Sequence, residues 1–252
     1  MNLSKENLKQ FFGKNKTFQK EDLQNFYNEF SHKNSEQDFF WYLYNLQQEN
    51  IIKTIDKNTY ELVQNKLNFL PIADDFLQKI NQKICSKFDL KDYCIWSSAW
   101  LNEFTLHQNT KNFTIVEVEK EAVEFVFNSL KKDFSNVFLL FQKTDNILIE
   151  RYIFDTQDPI IVSKIITKSP IHKVSGVFLP KIEKILLDLF CDEALLIAYK
   201  GYEQETIFRT VLKKYNINLK TLFAYAKRRR KEEQIKEYLY QNFEAEIKFL
   251  LP

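Results

Sequence analysis

The sequence predicts an α+β protein built from two domains, and three observations carry that prediction. The chain has 252 residues, above the usual length of one domain. Hydrophobic residues make up 44% and charged residues 28%, which suits a globular protein with packed cores. The apolar spacing also changes along the chain. It is helical with one β-like pair up to about residue 68, mixed from about 75, and helical alone from about 180.

Taking the elements in order, Ser4 caps a first helix that carries Leu8, Phe11 and Phe12 and is stopped by Gly13. Leu23, Phe26, Tyr27 and Phe30 give helical spacing to Lys20–Phe30. Ser35 caps a third helix that runs to about Glu49. Ile51–Ile55 and Thr59–Val63 read as strands joined by the turn Asp56-Lys57-Asn58. Three helices followed by a β-hairpin is the order of a winged helix-turn-helix, so residues 1–68 are expected to form one.

On the third helix, Phe39, Leu43, Leu46 and Asn50 share one stripe, with Tyr42 beside them. Asn34, Gln37, Trp41, Tyr44, Asn45 and Gln48 point the other way. That face is uncharged and rich in amides, and Asn and Gln can pair bidentately with adenine. Lys33, Lys53 and Lys57 are expected to touch phosphates from the turn and the wing. Residues 1–70 hold nine Lys and nine acids, so this region supplies no net attraction for a polyanion.

Pro71 and its polar surroundings mark the domain boundary, and the second domain is expected to span 75–252. Strands are expected at Tyr93–Trp96, Phe113–Val118, Val137–Phe141, Ile147–Phe154 and Ile160–Ile166. Helices are expected at Ser97–Leu106 and Lys120–Lys131, which together make a mixed α/β sheet domain. Helices are expected again at Pro180–Phe190, Glu203–Tyr215, Asn218–Ala226 and Glu232–Phe249.

The composition excludes several chemistries. Three glycines in 252 residues leave no glycine-rich cradle for a phosphate. Cys85, Cys94 and Cys191 lack metal-ligand spacing and read as reduced thiols. His107 and His172 are 65 residues apart with no ligand pattern near them, so no metal site and no cofactor is expected. No apolar run approaches membrane-spanning length and no signal peptide is visible, so a soluble cytoplasmic protein without membrane contact is expected.

One arrangement resembles a nucleotidyltransferase. Ser97-Ser98 follows a strand, and Glu117-Val118-Glu119 would place two carboxylates on one face of the next, where they could bind Mg²⁺. The glycine such a turn uses is replaced by Trp96 and Ser97, so the reading preferred is a domain of that type without catalysis.

The charge is concentrated near the C-terminus. Between Arg209 and Lys231 stand Arg209, Lys213, Lys214, Lys220, Lys227, Arg228, Arg229, Arg230 and Lys231, with no acid among 23 residues. Apolar residues alternate through the block, so its charges are expected to share one outer surface, either simply solvated or facing a polyanion or an acidic protein.

Longer stretches carry a family resemblance. They are Tyr93-Cys94-Ile95-Trp96-Ser97-Ser98-Ala99-Trp100-Leu101-Asn102-Glu103-Phe104-Thr105-Leu106-His107-Gln108, Ile115-Val116-Glu117-Val118-Glu119-Lys120-Glu121-Ala122, and Leu179-Pro180-Lys181-Ile182-Glu183-Lys184-Ile185-Leu186-Leu187-Asp188-Leu189-Phe190, with Lys214-Tyr215-Asn216-Ile217-Asn218 and Tyr225-Ala226-Lys227-Arg228-Arg229. With these the chain resembles the AbiEi-like antitoxins of type IV abortive-infection (viral defence) systems. The resemblance implies a winged helix followed by a non-catalytic nucleotidyltransferase-like domain. It implies an autorepressor that binds inverted repeats in its own operator and opposes a nucleotidyltransferase toxin. The helix Ser35–Glu49 would then enter a major groove, with Arg209, Lys213, Lys214, Lys227, Arg228, Arg229 and Arg230 adding phosphate contacts. The alternatives are an enzyme using Glu117 and Glu119, or a protein-interaction module that does not bind DNA.

Overall fold

The computed structural model describes residues 5–12, 17–31, 35–48, 51–63, 66–140 and 149–247. The protein is a mixed α+β chain that divides into two compact units, 1–65 and 66–252. Ser4, Gly13, Lys33, Asn34, Glu49 and Asn50 lie outside the described residues, as does Phe141.

The first unit contains α1 (Lys5–Phe12), β1 (Phe18–Gln19), α2 (Lys20–Phe30), α3 (Glu36–Gln48), β2 (Ile52–Asp56) and β3 (Thr59–Leu62). Ser35 caps α3 in both directions: its hydroxyl accepts the Asp38 N–H at 3.1 Å and donates to the Asp38 carboxylate at 2.7 Å. Burial on α2 falls on Leu23, Phe26 and Tyr27, and on α3 on Phe39, Leu43 and Leu46, the apolar stripe of each helix. The strands pair in the order β1-β3-β2, all antiparallel, with Phe18 opposite Tyr60. Asn58 turns the β2–β3 hairpin at φ 68°, a left-handed conformation that asparagine tolerates. The short strand β1 was not apparent in the sequence, because two residues are too few to show alternation.

The second unit is built on a four-stranded sheet of β4 (Tyr93–Ser97), β5 (Thr114–Val118), β6 (Val137–Leu140) and β7 (Ile160–Lys164). Its order is β4-β5-β7-β6, with β4 antiparallel and the other three parallel. Alternate residues take opposite faces. One face presents Tyr93, Ile95, Val116, Val118 and Val162 to α4 (Asp75–Cys85) and α5 (Val123–Leu130). The other presents Cys94, Trp96, Ile115, Glu117 and Ile161 to the C-terminal helices.

Those helices are α6 (Ile182–Cys191), α7 (Tyr202–Lys214), α8 (Leu219–Arg228) and α9 (Glu232–Ile247), the last kinked at Phe243. Residues 182–189 of α6 are all buried, so this helix is enclosed on every side. A separate hairpin, β8 (Ile171–Val174) and β9 (Val177–Pro180), turns through Ser175 and Gly176, both at positive φ.

The structure corrects several expectations. Ser97–Leu106 is a 3₁₀ segment over Ser98–Glu103. Ile147–Phe154 is not a strand where it is described, because Ile149–Ile153 forms a π-helical turn. Its two buried isoleucines are four residues apart, on one helical side, while Tyr152 between them is exposed. Helix α4 was missed although its signals were present. Asp74 caps it by accepting the Leu77 N–H at 2.8 Å, and Leu77, Ile80 and Ile84 keep helical spacing. Among the described residues no helix is long and apolar enough to cross a membrane.

Candidate functional site

Two regions gather the chemistry, one in each unit. On α3, burial of Phe39, Leu43 and Leu46 leaves Gln37, Trp41, Tyr44 and Asn45 on the opposite side, all exposed. Trp41 is 66% exposed, which is unusual for the largest apolar side chain, and its ring meets Tyr44 edge-on at 5.8 Å. In the same unit the hairpin presents Lys57, exposed at its tip. Lys53 is held by Glu61 at 3.1 Å. Lys33 and Asn34 belong to the residues that are not described.

The basic block does not form the single outer surface expected of it. Lys227, Arg228 and Arg230 are exposed and form no ion pair among the described residues. Arg209 donates to Glu246 at 2.9 Å and to the Asn242 carbonyl at 3.2 Å, and Lys213 lies 3.9 Å from the same carboxylate. Lys214 pairs with Glu103. These acids lie far from the block in sequence, so counting charges along the chain could not reveal them.

Arg229 is the plain correction. Its side chain is only 8% exposed and its guanidinium pairs with Asp188. It belongs to a buried cluster and not to a phosphate-facing surface.

That cluster assembles from three elements. Glu117 projects from β5, Lys184 and Asp188 lie one turn apart on α6, and Tyr225 and Arg229 come from the end of α8. Lys184 has no exposed surface, pairs with Glu117, and donates to Asp188 Oδ2 at 2.5 Å. Asp188 Oδ1 accepts the Tyr225 hydroxyl at 3.0 Å as well as Arg229. Two carboxylates thus meet two cations, which is the condition for tolerating charge in a core.

Burial acts on each group differently. It opposes the charge of Lys184, but Asp188 and Glu117 together outweigh it and hold the ammonium well above its usual range. For Glu117 burial prevails over Lys184 and raises the carboxyl. Burial also raises the thiol of Cys94 and the hydroxyl of Tyr225.

The acidic pair that the alternative, enzymatic reading would use for Mg²⁺ is separated in role. Glu119, just past β5, accepts the Asp92 N–H at 3.2 Å, while Glu117 is committed to Lys184. Both serines before it are structural: Ser97 Oγ accepts the Ala99 N–H, and Ser98 Oγ accepts the Phe113 N–H at 2.9 Å. Among the described residues no group of three His, Cys, Asp or Glu side chains could hold a metal ion.

Residues 38–245 match a family of unknown function, DUF6577. The chain belongs to that family. The match begins inside α3 and runs through the hairpin, the four-stranded sheet and nearly all of α9, so the DUF6577 region takes in the buried cluster and, of the exposed α3 face, Trp41, Tyr44 and Asn45 but not Gln37. No curated protein matches the sequence.

The sequence reading missed the buried cluster. A signal existed in Lys184 and Asp188, two opposite charges at i, i+4 inside the apolar run Ile182–Leu189. Nothing local pointed to Glu117 or Arg229 as their partners.

Proposed function

We propose that the protein is a DNA-binding transcriptional regulator in which the first unit is a winged helix and α3 its reading element. The observation that carries this reading is the exposed, uncharged face of Gln37, Trp41, Tyr44 and Asn45 on α3. The order of elements supports it, since three helices precede a hairpin and a short strand between α1 and α2 completes the sheet as β1-β3-β2. Amides on such a face suit base edges in a major groove, with Lys57 at the wing tip placed for a phosphate. In the second unit Lys227, Arg228 and Arg230 supply salt-dependent attraction that the first unit, with eight Lys against nine acids, lacks.

From the resemblance to AbiEi-like antitoxins, the proposed target is the inverted repeats of the protein's own operator and the proposed partner a nucleotidyltransferase toxin. The second unit then serves as a non-catalytic nucleotidyltransferase-like domain. Pairing of Glu117 with Lys184 weighs against the rival reading, in which Glu117 and Glu119 hold Mg²⁺.

The test is fluorescence anisotropy of the full chain on a labelled duplex from its own upstream region, at two salt concentrations. Saturable binding, tighter than to a scrambled duplex and weakened by Trp41→Ala and Asn45→Ala, is expected. Equal affinity for both duplexes would refute a reading role for α3.

A further inference from the structure

Between the sheet face that carries Trp96 and Glu117 and the helices α6 and α8 lies a cavity of about 170 Å³. That is close to the roughly 150 Å³ of an engineered apolar cavity that admits benzene. Ile115, Leu140 and Leu196 give it an apolar wall, and Trp96, Glu117 and Arg229 contribute its polar side.

Two features of that polar side define what fits. The first is charge. Glu117 is compensated by Lys184, and Asp188 by Lys184 and Arg229. Asp192, the remaining buried acid of the lining, accepts the N–H groups of Ala194, Leu195 and Leu196. Lys164 also lines the cavity, so Glu117, Asp188 and Asp192 stand with three cations, Lys164, Lys184 and Arg229, and an ionic ligand would bring a further charge into a balanced site, which is costly.

The second feature is hydrogen bonding. The indole N–H of Trp96 is buried with no acceptor among the described residues, a costly state for a donor. Glu117 gives Oε2 to Lys184, and its Oε1 takes no hydrogen bond among the described residues. Trp96 stands opposite Ile115, two residues from Glu117 on the neighbouring strand, so the donor and the acceptor are diagonal neighbours on one face.

We infer that this cavity binds a small uncharged ring bearing a carboxamide, or a comparable adjacent acceptor and donor. Its carbonyl would take the Trp96 N–H and its own N–H would be accepted by Glu117. The site is independent of DNA reading by α3, and either can fail without the other.

The test uses three nearly isosteric probes, benzamide, benzoate and benzamidinium, titrated into the full chain labelled with ¹⁵N. The chain has three tryptophans, so three indole N–H signals report, and Trp96→Phe identifies the relevant one. Benzamide is expected to move the Trp96 signal saturably and to bind about tenfold more tightly than either charged probe, the difference made by one hydrogen-bonded group. Ser163→Val narrows the cavity with a side chain that suits a strand, and should weaken benzamide binding while leaving the fold intact by circular dichroism. Absence of saturation in the wild type, equal binding of a charged probe, or unchanged affinity in folded Ser163→Val each overturns the inference. Should Ser163→Val fail to fold, the wild-type comparison of the three probes decides alone.

Discussion

Lys184 and Asp188 sit one turn apart on α6 and close a 2.5 Å ion pair inside the protein, where Lys184 has no exposed surface. Asp188 also receives Arg229 and Tyr225 from the end of α8, and Lys184 reaches across to Glu117 on β5. Removing one member of such a set leaves its partners charged and desolvated. Asp188→Asn is therefore expected to cost about 3–5 kcal/mol of stability, measured by urea unfolding. A loss below about 1 kcal/mol, the range of exposed pairs, would show the site to be solvated.

The same cluster sets an alkaline limit. The unfolded chain releases protons from lysine near pH 10.4 and from tyrosine near 10. In the folded protein Lys184 is held well above that, because the carboxylates outweigh the effect of burial, and Tyr225 is raised by burial. Above about pH 10 the folded state retains protons the unfolded state has lost, so stability falls as pH rises. The slope for each such group approaches about 1.4 kcal/mol per pH unit. Guanidinium unfolding at pH 9 and pH 11 checks this, and equal midpoints would contradict it.

Neighbouring arginines should behave differently. Arg228→Ala with Arg230→Ala is expected to leave unfolding within about 0.5 kcal/mol of the wild type. It should also flatten the salt dependence of DNA binding by roughly one unit per lost phosphate contact. Arg229→Ala should instead destabilise the fold. If Arg229→Ala lowered the salt slope as each of the other two substitutions does, with no loss of stability, the inward placement of Arg229 would be wrong.

The hairpin tip offers a local test. At φ 68°, Asn58→Gly should be close to neutral, whereas Asn58→Val should cost about 1–2 kcal/mol. Thermal unfolding distinguishes them, and an equally stable valine variant would show that the turn adopts another conformation.

The elements that could be read from the sequence are those whose signals are local. The stripe Phe39, Leu43 and Leu46 fixed which side of α3 faces outward, and Ser35 marked where that helix begins. Short apolar runs located β4 and β5, which are buried on both faces. The sequence offered no comparable guide where structure depends on distant partners. Arg209 meets Glu246 and Arg229 meets Asp188, pairings that no periodicity records. Ile149–Ile153 misled for a related reason: β-branched residues favour strands by propensity, while burial of two of them four apart selects a helical turn.

Arg229 also constrains how α8 can move. The buried face of Leu219, Leu222, Tyr225 and Ala226 already sets which side of this helix turns inward. With Arg229 latched to α6 as well, rolling would strip a charge of its counterpart in a dry interior. The backbone that carries Arg228, and the turn that carries Arg230 at φ 55°, are therefore anchored on either side of Arg229, so a binding surface meets these two cations at a set place on the second unit.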